Sequence, residues 1–152
     1  MKTTPPGIKV AVVVSRFNET VTERLWQSAE ERLLERGLRE EDILLVRVPG
    51  AVEIPLMAQT LAQRKQFSAV ICLGAVIRGE TDHYDYVCQQ VSEGCQRVAL
   101  QQQIPIIFGV LTTQTEAQAL ARAGGEQGNK GREAADVAFE MIDVLHRLNG
   151  CV

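Results

Sequence analysis

An α/β fold, with a four-stranded parallel sheet between two layers of helices, is predicted by three features of the chain. Four nearly uninterrupted apolar runs recur along it: "IKVAVVVS", "DILLVRV", "SAVICLGAVI" and "IPIIFGVL". Segments with helical spacing lie between them, so strand and helix alternate. No Pro- or Ser-rich linker, internal repeat or low-complexity tract divides the 152 residues. Residues 1–152 are therefore expected to form one domain, with 1–7 as a flexible N-terminal arm. Runs this apolar suit strands covered on both faces. Short right-handed crossovers then give a three-layer αβα sandwich of flavodoxin-like type.

The first strand covers residues 8–15. "NETVTERLWQSAEERLLERG" follows as a helix, since Val21, Leu25, Ala29 and Leu33 repeat every four residues and Gly37 suits a C-cap. "DILLVRV" forms the second strand and stops at Pro49-Gly50. "AVEIPLMAQTLAQRK" reads as a helix with Pro55 in its first turn, where a missing amide is tolerated. "SAVICLGAVI" is the third strand, followed by a helix over residues 84–102. "IPIIFGVL" is the fourth strand and "TQTEAQALARAG" a short helix. The Gly-rich stretch "GGEQGNKG" breaks the chain before a last helix over residues 132–148. Ala134, Ala135 and Ala138 on that helix are small enough to permit close packing against another chain.

Composition excludes several classes of function. Hydrophobic content of 45% and charged content of 23% are ordinary globular values. A net charge of −3 argues against broad nucleic-acid binding, although a local basic cluster can still hold phosphate. No apolar stretch is long enough to span a membrane, and "MKTTPPGIKV" lacks a signal-peptide core, so a cytoplasmic protein is expected. The four cysteines, Cys72, Cys88, Cys95 and Cys151, form no CxxC or other common zinc spacing. Cys72 reads as core packing, and Cys88 and Cys95 share a helical face.

In open α/β sheets, ligands sit beyond the carboxyl ends of the strands. Four segments meet there: Ser15 to Asn18, Pro49 to Glu53, Arg78 to His83, and Thr112-Thr113. Phe17 either plugs the strand end or stacks on a planar ring. Glu53 is either a helix-start acid favoured by the macrodipole or a ligand group. His83 either packs at the next helix start or transfers protons, for which an imidazole is suited near neutrality. Asp82 and Asp85 read as helix-start acids, and His146 as a solvated residue. "GGEQGNKG" departs from a Walker loop, because Gly131 follows Lys130 and the stretch lies between helices. Its amides, with Lys130 and Arg122, can nonetheless hold an anion. The dinucleotide fingerprint and the flavodoxin phosphate loop are absent, and "AVIRG" lacks the aspartate of a phosphoacceptor domain.

Taken in order, "SRFN", "VPGAVEIP", "LGAVIRGETDHYDYV", "FGVLTT" and "RAGGEQGNKG" resemble the lumazine synthase family, and the resemblance covers nearly all of residues 8–148. It implies condensation of 5-amino-6-(D-ribitylamino)uracil with 3,4-dihydroxy-2-butanone 4-phosphate. The products are 6,7-dimethyl-8-ribityllumazine, phosphate and water, in the penultimate step of riboflavin synthesis. It implies no metal and no organic cofactor. By position, Phe17 would stack on the pyrimidine, with Ala51, Val52, Glu53, Ala75, Val76, Ile77 and Phe108 completing that site. Glu80, Thr81, Arg122 and Lys130 would hold the butanone phosphate, and His83 would be the general acid/base. Phe108, Arg122 and Lys130 would come from a neighbouring subunit of a homo-oligomer, a pentamer or a multiple of one. Riboflavin synthase is an implied further partner. A non-catalytic flavin- or lumazine-binding or cage-forming relative is the alternative from another class. Family members typically begin with a segment that pairs with a neighbour's sheet. Here Pro5 and Pro6 lack amide donors, so that strand is expected to be shortened or missing.

Overall fold

The computed structural model of the protein describes residues 7–150. The N-terminal arm up to Pro6 and Cys151 lie outside the described residues. Strands β1 (Val10–Ser15), β2 (Ile43–Val48), β3 (Ala69–Ile77) and β4 (Ile106–Thr113) form one parallel sheet in the order β2-β1-β3-β4. The two central strands are buried along almost their whole length, which explains why their sequences do not alternate. Edge strands β2 and β4 mix buried and exposed positions.

Helices α1 (Glu19–Glu35) and α5 (Lys130–Gly150) cover one face, where Leu25, Leu33, Val12, Ile71 and Phe139 share a core. Helices α2 (Ile54–Gln63) and α3 (His83–Gln102) cover the other, around Val13, Ile54, Leu61, Cys72 and Val91. The flavodoxin-like α/β sandwich is therefore the architecture of this chain. Cys72 and Cys95 meet in the second core. The Cys95 thiol beside it, together with burial, pushes the Cys72 thiol well up, so Cys72 stays protonated.

Several boundaries differ from the sequence reading, each for a local reason. Strand β4 runs on through Thr113 because it pairs with β3 as far as Ile77. The Gly-rich break contains a small antiparallel hairpin, β5 (Ala123–Gly125) and β6 (Gly128–Asn129), which follows helix α4 (Glu116–Ala121). Gly124 and Gly128 take φ of 103° and 86°, a region that favours glycine and gives the hairpin its tight turn. Helix α5 begins at Lys130, two residues earlier than expected, because Asn129 Oδ1 accepts from the Gly131 and Arg132 amides. Ala134, Ala135 and Ala138 are buried in their own subunit's core. Their small size serves packing within this chain, so they give no reason for an oligomer.

Candidate functional site

The chain passes from β1 to β2 on one side and returns across β1 to β3 on the other. The topological switch point thus lies between β1 and β3. A cavity of about 280 Å³ opens there. Phe17 and Asn18 line it from the end of β1, and Gly50, Ala51 and Val52 from the turn after β2. Ala75, Val76 and Ile77 line it from β3, and Gly79, Thr81, His83, Tyr84 and Val87 from the start of α3.

Phe17 is 65% exposed although its backbone is fixed, since its amide and that of Arg16 donate to Pro49 O at 3.0 and 3.1 Å. Its ring lies against the Gly50 backbone, where an added Cβ would stand 2.7 Å from Cδ2. One ring face is thus supported and the rest is open. Asn18 precedes α1 at φ 63°, ψ 49°, and its side-chain amide donates to Ala75 O at 2.9 Å. This bond ties the β1 turn to the end of β3. An Asn at a strand-to-helix junction is the signal that would have found it, because Asn tolerates the left-handed region.

The turn into α3 is organised without a side-chain cap. The Thr81 hydroxyl accepts from the His83 amide at 3.3 Å, and Asp82 O accepts from the Asp85 amide at 3.0 Å. Arg78 donates to Asp85 Oδ1 at 2.8 Å, and its guanidinium lies 4.6 Å from the Tyr84 ring centre. Its own amide bonds Thr113 O at 2.9 Å. Burial pushes the Tyr84 phenol up, and the bond to Cys88 adds to the shift. The phenol therefore remains protonated beside the cavity. An added Cβ at Gly79 would meet nothing within 4 Å, so open space faces the backbone there.

Five candidate residues stand apart from this lining, Glu53 and Glu80 beside it and three others at a second cavity. Glu53 turns its Oε1 back onto the Gly50 amide at 2.9 Å, so that oxygen stabilises the turn before α2. Glu80 is exposed and does not line the cavity.

Phe108, Arg122 and Lys130 line a second cavity, of about 410 Å³, on the far side of edge strand β4. Arg122 follows α4 and donates through Nη1 to Gln118 O at 2.9 Å. The Lys130 amide donates to Arg122 O at 2.8 Å, which brings the two cations to one place. Gln127 and Glu133, which the sequence reading did not single out, also line it. The two cavities share no lining residue. Among the described residues, no group of three or more His, Cys, Asp or Glu side chains is arranged to hold a metal ion. Among the described residues, no helix is long and apolar enough to cross a membrane.

The fold and the cavity define an open α/β protein with a small-molecule cleft at its topological switch point. The sequence model of the 6,7-dimethyl-8-ribityllumazine synthase family matches residues 7–146, and the chain belongs to that family. The 6,7-dimethyl-8-ribityllumazine synthases of two Coxiella burnetii strains, CbuG_Q212 and RSA 493 / Nine Mile phase I, are each 59% identical to it. Both alignments span 145 residues, 95% of this chain and 96% of the relative. The same enzyme from strain Dugway 5J108-111 is 58% identical over the same shares.

Proposed function

We propose that the protein condenses 5-amino-6-(D-ribitylamino)uracil with 3,4-dihydroxy-2-butanone 4-phosphate, forming 6,7-dimethyl-8-ribityllumazine, phosphate and water. The observation that carries this reading is the cavity at the switch point. It combines an open aromatic face, the end of a buried strand and one histidine. Phe17 stacks on the pyrimidine. Ala51, Val52, Ala75, Val76 and Ile77 meet its edges, and Glu53 contributes through its remaining acceptor capacity. The open backbone at Gly79, with Glu80 and Thr81, receives the butanone phosphate.

The chemistry needs orientation and proton transfer. The amine attacks the ketone and loses a proton, water leaves, phosphate is eliminated and the ring closes. His83 accepts and returns protons at these steps. Holding both substrates side by side accounts for much of the acceleration.

Phe108, Arg122 and Lys130 act from a neighbouring subunit. Three features support this. They line a different cavity of their own chain. The switch-point cavity, about 280 Å³, is small for a site that holds two substrates. An apolar groove of about 670 Å³ between β4, the end of α3 and α5 offers Leu100, Ile106, Val137 and Met141 to a neighbour. The assembly is a pentamer or a multiple of one, it works in the cytoplasm, and riboflavin synthase consumes the product.

Incubation of the protein with both substrates tests the activity. Growth of lumazine absorbance and fluorescence at a rate proportional to protein is expected. Tight lumazine binding without turnover would instead identify a non-catalytic binding protein.

A further inference from the structure

Arg122 and Lys130 come together through the β5–β6 hairpin, whose own ladder is short. Its ladder is only two or three residues long on each side, it is irregular between Ala123 and Gly125, and only Ala123 is buried. Two cations at one place also repel each other. Something outside the hairpin must fix it.

Asn129 does so with three bonds from one amide group. Its Nδ2 donates to Ser28 Oγ on α1 at 2.6 Å. Its Oδ1 accepts from the Gly131 and Arg132 amides, at 2.9 and 3.1 Å, in the first turn of α5. Gly131 then lies so close to α1 that an added Cβ would stand 2.0 Å from Leu25 O. The hairpin is thereby fastened to α1 and α5 at the residue just before Lys130, whose amide holds Arg122 O. Asn129 itself does not line the cavity.

We infer that Asn129 is a positioning residue for the Arg122–Lys130 pair, acting through its bonds to Ser28 and to the first turn of α5. The inference rests on the reading of Arg122 and Lys130 as the phosphate-binding cations. Each displaced cation loses charge-assisted bonds to a phosphate, and these depend steeply on geometry.

The test uses the assembled full chain and the variants Asn129→Ala, Ser28→Ala and the double variant. Inorganic phosphate is titrated calorimetrically, and KM for the butanone phosphate, kcat and Kd for ribitylaminouracil are measured. Asn129→Ala is expected to weaken phosphate binding and raise that KM by roughly five- to thirtyfold. Ribitylaminouracil affinity and kcat should change by less than about twofold, since none of the groups bonded by Asn129 lines the switch-point cavity. Ser28→Ala should give a smaller shift in the same direction, and the double variant should be no worse than Asn129→Ala, because both remove the same bond. Unchanged phosphate affinity in the variants, or equal weakening for both substrates, overturns the inference. If Asn129→Ala fails to assemble, Ser28→Ala decides by the same criteria. If the wild type binds phosphate but forms no lumazine, the proposed activity fails while the phosphate titrations still decide the role of Asn129.

Discussion

Arg78 and Asp85 clasp the turn that carries His83. The guanidinium bonds the carboxylate at 2.8 Å and lies over the Tyr84 ring, while the Arg78 amide is held by Thr113 at the end of β4. The pair is solvent-exposed, so it contributes less than about 1 kcal/mol to stability. Asp85→Asn should leave the melting temperature within about 2 °C, yet slow turnover several-fold as the His83 turn loosens. Kinetics and thermal melts of this variant check it. A loss of stability with unchanged turnover would assign the clasp to folding alone.

His83→Ala should remain folded and assembled and bind ribitylaminouracil nearly normally. Its exposed position and its backbone bond to Thr81 give it no packing role that alanine would lose. General acid–base catalysis is worth about 100- to 10,000-fold, and the intrinsic reactivity of an amine with a ketone places the loss at or below the lower end. Single-turnover kinetics reads the chemical step. An unchanged step would leave His83 as a helix-start residue only.

Gly131→Ala should be strongly destabilising. The new methyl group would meet the Leu25 carbonyl at 2.0 Å, and backbone cannot yield as a flexible side chain does. Overpacking of this kind costs about 1–3 kcal/mol, so the melting temperature should fall by roughly 2–12 °C. Gly79→Ala, where a Cβ meets nothing within 4 Å, should barely change stability and serves as the control.

Acid should loosen the α1–α5 layer before the rest. Burial alone would push the Asp136 carboxyl up, but bonds from Arg32 and Arg36 at 2.7 and 2.9 Å override it and hold it low. Arg32 and Arg132 hold Glu35 low on the same seam. A depressed carboxyl adds stability above its unfolded value, near 4, and loses it as pH falls through the lower folded value. Melting temperatures of wild type and Asp136→Asn should therefore differ at neutral pH and converge below about pH 4. A constant difference across that range would contradict the assignment.

Most of the sheet was legible because β1 and β3 are buried on both faces and so carry unbroken apolar runs. The switch-point cavity was legible as a set of strand ends, since topology alone gathers Phe17, Ala51, Thr81 and His83. Two details depend on partners remote in sequence. The Asn18 bond to Ala75 spans 57 positions and the Asn129 bond to Ser28 spans 101, so the neighbouring residues name neither partner, even where an Asn at a strand end marks the donor. The β5–β6 hairpin was hidden by glycines that read equally well as a plain break. Glu53 could be read as a cap or as a ligand group, and only its distance to Gly50 shows the capping bond.

In the proposed assembly, each catalytic site joins the His83 cavity of one chain to the Arg122 cavity of the next. Co-assembly of His83→Ala chains with Arg122→Ala chains tests it most directly. Equal mixing in a ring of head-to-tail contacts makes about a quarter of the junctions wild type on both sides. The mixture, unfolded and reassembled together, should therefore recover about a quarter of wild-type turnover, above the mean of the two separately assembled variants. Turnover equal to that mean would show that each chain carries its own complete site and would contradict the account.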